Sequence, residues 1–301
     1  MAQAAGDAQG HGAARTRGRA ALIELRRGQP DYPSALEDCA GPPRVVWARG
    51  DLALLDRPTV AIVGTRRATA YAERVTKQLA GTLARAGATV ISGLARGVDA
   101  AAHRGALEVD GATVAVLGTG LDVCYPKAHA ALQREIGDRG LLLSELAPQE
   151  AAHGGSFPRR NRIIAALATV TIVVEAGVKS GALITAAQAL DMNRGVAAVP
   201  GPIDVAQAQG SNELLRDGAT VIAAMADALA LLGLTAPIRL RELPEGTAER
   251  TVWDALDGGG LPLESLAARA SLPAHETLAA VTALELRGLV ECALTGEIRR
   301  M

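Results

Sequence analysis

A chain of 301 residues can bury one large core and a smaller second one. Its 31 basic and 32 acidic side chains leave a net charge of −1, which excludes a protein that coats DNA through a general basic field. Cys39, Cys124 and Cys292 are too few and too scattered for a disulfide framework or a tetrahedral metal site, and no apolar run has the length of a membrane span. The opening stretch lacks the apolar core of a secretory signal, so the expectation is a cytoplasmic protein with no membrane partner, no metal and no cofactor.

In chain order, residues 1 to 18 have the composition of a disordered segment. "RTRGRAALIELRRG" reads as one short helix, and "DYPSALEDCAGPPRVVWARGDLALL" as a packed extension that completes an N-terminal segment, residues 1 to 55. From Thr59 onward, short valine-rich runs alternate with helical patterns: "TVAIV" (59 to 63), "ATVIS" (88 to 92), "TVAVL" (113 to 117), "LLLSE" (141 to 145), "VTIVVE" (170 to 175), "VAAVP" (196 to 200) and "ATVIA" (219 to 223). This alternation is the signature of βα units, giving a doubly wound, mostly parallel α/β sheet of Rossmann-like type over residues 56 to 234. Near-continuous apolar strands imply helices on both faces, and in such sheets ligands sit beyond the carboxyl ends of the strands. A linker is expected over residues 235 to 245 and a second, smaller domain from 246 to 301.

The turn after the first strand of this domain is Gly64-Thr65-Arg66-Arg67-Ala68-Thr69. A dinucleotide fingerprint needs glycines where these arginines stand and an acid at the end of the next strand, which ends instead in Ser92-Gly93. A helix start with free N–H groups, a hydroxyl and two guanidiniums suits a phosphate. In "SGLARGVDAAAHRGAL", which contains Arg96, Asp99 and His103 fall on one helix face; a helix cap and an interior hydrogen bond explain them better than a metal, because no third ligand accompanies them. Cys124, in "LGTGLDVCYP", reads as a core residue rather than a nucleophile. Phe157-Pro158-Arg159-Arg160-Asn161-Arg162 gathers three guanidiniums, an amide and the one phenylalanine of the chain at a helix start, a set suited to single-stranded nucleic acid. The competing reading pairs Arg160 or Arg162 with Glu145 or Glu175 inside the protein. "VKSGALIT" supplies a second anion cradle from Lys179, Ser180 and Gly181.

The ordered motifs "YPSAL", "PPRVVWARGD", "VAIVGTRRAT", "SGLARGVDAAAH", "GTGLDVCYP", "FPRRNRIIAAL", "VVEAGVKSGALITAAQAL", "VPGPID" and "GSNELLRDGA" resemble the DNA-processing protein A family, DprA or Smf, of bacterial transformation. The resemblance implies a non-enzymatic protein that binds single-stranded DNA, dimerises, and loads the RecA recombinase on incoming DNA. It also implies that Arg66, Arg160, Arg162 and Lys179 meet DNA phosphates. Thr65 stands where the family often has serine, and the short N-terminus cannot hold the sterile-alpha-motif domain that many members carry. The C-terminal segment resembles the family's winged-helix module. From Glu245 onward it has nine acids against five arginines, and its would-be recognition helix offers no base-reading side chains, so protein contact is its expected role. The alternative from another class is a nucleotide-processing enzyme of the lysine-decarboxylase-like, cytokinin-activating type. That reading requires a Pro-Gly-Gly-x-Gly-Thr-x-x-Glu loop, whereas Pro202-Ile203-Asp204 follow Pro200-Gly201 here.

Overall fold

A computed structural model describes residues 20–235, 247–257, 259–286, 289–293 and 296–300. The disorder expected for residues 1 to 18 lies outside these residues, as does the expected linker apart from Thr235. The chain divides into two compact units, Met1–Pro237 and Ile238–Met301.

In the first unit the elements run β1 (Leu22–Arg26), β2 (Val45–Gly50), β3 (Thr59–Val63), α1 (Ala70–Arg85), β4 (Thr89–Ser92), α2 (Val98–Leu107), β5 (Thr113–Leu117), α3 (Ala130–Arg139) and β6 (Leu141–Ser144). They continue with α4 (Ser156–Leu167), β7 (Val170–Val173), α5 (Gly181–Asp191), β8 (Gly195–Ala198), α6 (Gln209–Arg216), β9 (Thr220–Val221) and α7 (Met225–Ala230). The strands form one sheet in the order β1-β2-β6-β5-β4-β3-β7-β8-β9, parallel from β6 to β9 and antiparallel at the β1-β2-β6 edge. Each apolar position of β3 finds cover because the strand is buried on both faces: Val60 and Ile62 pack under α1 and α2, Ala61 and Val63 under α4 and α5.

The segment expected to be a short helix is instead strand β1, in register with β2 through Ile23 opposite Ala48 and Leu25 opposite Val46. The physical reason is tertiary. A lone helical turn there would leave its apolar side uncovered, whereas pairing buries Leu25 and Val46 with Tyr32 and Leu36. The N-terminal segment is therefore part of the main sheet from Leu22 onward.

The topology has one switch point. Strand β3 is flanked by β4, which leads toward β5 and β6, and by β7, which leads toward β8 and β9. The turns leaving β3 and β7 diverge to opposite faces of the sheet and open a crevice between their carboxyl ends.

The second unit contains α8 (Ala248–Ala255), β10 (Leu261–Pro262), α9 (Leu263–Ala270), α10 (Ala274–Leu286), β11 (Val290–Cys292) and β12 (Glu297–Arg300). A three-stranded sheet β10-β12-β11 closes over a core of Val252, Leu256, Leu266, Val281, Leu284 and Ile298. Two short helices joined by a tight turn, followed by an antiparallel pair, make a winged helix.

Candidate nucleic-acid interface

The switch-point crevice is a cleft of about 520 Å³, lined by the turn after β3, the loop from Gly177 to Ser180 and the first residues of α5. Of the residues singled out in the sequence, Gly64, Thr65, Arg66, Arg67, Arg160, Asn161, Lys179, Ser180 and Gly181 meet there. Arg66, Arg67 and Lys179 are exposed, and none has a carboxylate within ion-pair distance among the described residues. One carboxylate, Asp99, lies in the lining.

The turn itself is held from below. The Thr65 N–H donates to the Glu175 carbonyl at 2.7 Å, and the Glu175 carboxylate accepts from the Thr69 N–H at 3.0 Å and from the Thr69 hydroxyl at 2.8 Å. Thr69 then caps α1 by accepting from the Ala72 N–H at 3.1 Å, and the Thr65 hydroxyl oxygen accepts from the Arg67 N–H at 3.2 Å. Several N–H groups expected to be free at this helix start are thus already bonded internally, so the cation side chains carry the attraction for an anion. At the second cradle Ser180 likewise caps α5, accepting from the Ala182 N–H at 3.3 Å.

Gly97 braces the turn from the other side. Its φ is +73°, and a Cβ there would stand 2.3 Å from the Thr65 carbonyl oxygen, so the loop before α2 can back the Thr65–Arg66 peptide only as glycine. Gly93 is clamped at both ends: its N–H donates to Asp99 at 3.1 Å, and its carbonyl accepts from Arg160 at 2.6 Å.

Arg160 corrects the expectation that it meets phosphate. The residue is only 6% exposed, and its guanidinium donates to the carbonyls of Gly93 and Val116 and to the Asn161 side chain. Burial lowers its pKa to about 10 against the opposing pull of Asp99, which leaves it charged at neutral pH. Burial raises the pKa of Asp99, with Arg160 opposing. Arg162 departs from the phosphate expectation too, since its buried guanidinium donates to Glu145 at 2.6 Å. The same carboxylate takes Arg159 at 2.7 Å, whose side chain is nevertheless 59% exposed. Glu175, the other acid named as a partner for these arginines, is a turn-holding cap instead.

Beside the cleft is a smaller hollow formed by Arg66, Arg96, Tyr125, Phe157 and the wall of Arg160. The Phe157 ring lies 5.1 Å from that of Tyr125 and 5.4 Å beneath the Arg66 guanidinium. Tyr125, 52% exposed, was missed in the sequence. Its one signal was an aromatic side chain in a glycine-rich turn at the carboxyl edge of the sheet, the edge at which ligands bind.

Asp99 and His103 make separate internal contacts. Asp99 caps the loop before α2, whereas His103 is fully buried with Nδ1 2.7 Å from the Thr113 hydroxyl, and burial lowers its pKa to about 3. Cys124 is only half-buried, in contrast to the core position expected; its thiol donates to the Pro126 carbonyl and burial raises its pKa.

The model of the family described as DNA recombination-mediator protein A matches residues 24–233, and that of the DprA winged helix domain matches residues 240–293. A putative DNA processing protein DprA of Mycobacterium tuberculosis is 41% identical over 265 residues, which cover 84% of this chain and 68% of that protein. The DNA processing protein DprA of Streptococcus pneumoniae is 42% identical over 203 residues, 66% of this chain and 70% of its own. The solved structure of the Streptococcus pneumoniae protein superposes with a TM-score of 0.67 at 39% identity, covering 69% of this chain and 74% of that one. DNA processing protein A of Helicobacter pylori, whose structure concerns its single-stranded DNA binding mode, superposes with a TM-score of 0.64 at 36% identity, covering 70% and 96%. A family model spanning most of the sheet unit, a second one on the winged helix, and relatives of this identity over most of their length agree: the chain belongs to the DNA recombination-mediator protein A family, also named DprA or Smf.

Proposed function

We propose that this protein binds single-stranded DNA at the switch-point cleft and delivers it to the RecA recombinase in transformation or recombination, as a cytoplasmic homodimer. The observation that carries the reading is the trio Arg66, Arg67 and Lys179, exposed without carboxylate partners among the described residues and set over a cleft whose one carboxylate is buried. Guanidinium and ammonium groups on either side of the crevice fit successive phosphates of one strand. Phe157 and Tyr125 provide ring faces for a base, and neither ring reads base identity. Binding is therefore sequence-tolerant and salt-dependent. The likeness to the Helicobacter pylori protein supports the same reading.

The enzyme alternative has less support. Asp99, the carboxylate of the cleft, is spent on the N–H groups of Gly93 and Ala95, and the turn after β8 lacks the glycine-rich sequence such enzymes require. The test is a fluorescence titration of labelled oligothymidine at several salt concentrations, with duplex as competitor. Arg66→Ala and Lys179→Ala should each weaken single-strand binding about 10-fold, near the lower end of the roughly 1.5–3 kcal/mol of a hydrogen bond to a charged group. An affinity independent of salt, a preference for duplex, or parental binding by both variants overturns the proposal. Recombinase delivery is read separately, as faster RecA filament nucleation on strands already coated with a single-strand binding protein.

A further inference from the structure

The helical surface next to the cleft carries a second line of positive charge. On α1, Arg74, Lys77 and Arg85 border a groove of about 420 Å³ whose floor is Gly81 and Gly105 and whose far wall includes Glu108 of the α2 end. Lys77 is paired with Glu108 at 2.8 Å, whereas Arg74 and Arg85 have no carboxylate partner among the described residues. The one acid of α1 itself is Glu73. The surface of α3, by comparison, balances Arg134 and Arg139 against Glu135 and Asp138.

The chain leads from the cleft directly into this helix. Arg66 and Arg67 precede the first residue of α1, and one turn further on the Arg74 guanidinium stacks 5.7 Å over the ring of Tyr71, which is 39% exposed. Positions 74, 78, 81 and 85 fall on one helix face, so the groove follows the helix from Arg74 to Arg85, about 18 Å. A planar ring and guanidinium at the near end, followed by Lys77 paired with Glu108 and by Arg85 with no carboxylate partner among the described residues, have the chemistry of a single-strand track: stacking for an unpaired base and point charges for phosphates. A duplex presents no base face to Tyr71, and an acidic protein needs no ring platform.

We propose that the α1 groove is an exit track, along which a single strand already seated in the cleft continues past Tyr71 and Arg74 toward Arg85. The proposal rests on the cleft being the primary site. The cleft then sets whether DNA binds, and the track sets how affinity grows with strand length.

The test compares the full chain with the double variant Arg74→Ala/Arg85→Ala on labelled oligothymidines of about 6 and about 20 nucleotides, one near the short end of the site sizes of single-strand binding folds and one beyond the long end. The 6-mer should bind both proteins within about twofold, while the 20-mer should bind the variant about 10-fold more weakly at 0.1 M salt. The slope of log affinity against log salt for the 20-mer should become shallower by about 1.4, two contacts at about 0.7 each. The Arg74→Lys/Arg85→Lys variant, which keeps both charges, should hold most of the long-strand affinity, and a melting curve should show the parental fold in both. Parental binding and slope on the 20-mer, or an equal loss on both lengths, overturns the track. Failure of the cleft itself is read independently, as parental 6-mer binding by Arg66→Ala and Lys179→Ala.

Discussion

Replacing Arg160 with alanine should show first as a loss of stability, before any effect on DNA. The side chain is 6% exposed, and its guanidinium ties together Gly93, Val116 and Asn161, the ends of two strands and the start of α4. Its removal leaves two buried carbonyls without donors and Asp99 without its compensating charge. Breaking a buried charge network by deleting one partner costs about 3–5 kcal/mol. For a unit of this size, with about 2–4 °C per kcal/mol, that is a fall of roughly 6 to 20 °C in melting temperature. Arg66→Ala is the contrast: an exposed turn residue whose loss should move melting by no more than about 2 °C, within ±0.5 kcal/mol, while weakening DNA binding. The assay is thermal unfolding by circular dichroism, confirmed by denaturant titration, alongside the oligothymidine titration. If Arg160→Ala melts with the parent yet loses DNA affinity, the guanidinium is a phosphate ligand and its assignment as a structural tie is wrong.

Gly97→Ala should destabilise by roughly 1–3 kcal/mol, from its positive φ and the clash with the Thr65 carbonyl, and should weaken single-strand binding as the turn shifts; a variant with both parental melting and parental affinity refutes the brace. His103 is held neutral with its pKa lowered to about 3, so the unfolded chain binds the extra proton between pH 6.5 and 3. Its contribution is complete above pH 6.5 and is lost as pH falls through that window; melting curves of His103→Asn from pH 7.5 to 5 should therefore be flatter than the parental series, and parallel curves refute it. Deleting residues 246 to 301 should leave single-strand affinity unchanged or slightly raised, because the segment carries more acids than arginines. A large loss of affinity at equal oligomeric mass assigns DNA contact to the winged helix.

The parallel core of the sheet was legible in the sequence because its strands are buried on both faces and hence uniformly apolar. "TVAIV" and "TVAVL" coincide with β3 and β5, and the ends of the others shift by one or two residues, as where Val174 and Glu175 leave β7 and Glu175 caps the turn after β3. The site region was legible for a related reason. Basic residues at strand-to-helix turns have little use in a core, and the parallel order puts those turns on one edge. Strand β1 was not legible, since five residues decide between helix and strand only by what they pair with. The roles within the arginine cluster were not legible either. Arg159, Arg160 and Arg162 are near neighbours in sequence, yet a helix turns successive side chains by about 100°, so Arg160 faces the strand ends while Arg159 and Arg162 reach Glu145. Local pattern determined that cations gather at this edge, because spacing and burial are written residue by residue. Which of those cations stay free for a phosphate was decided by the tertiary structure, because it depends on acceptors supplied by loops as distant in the chain as Gly93 and Val116.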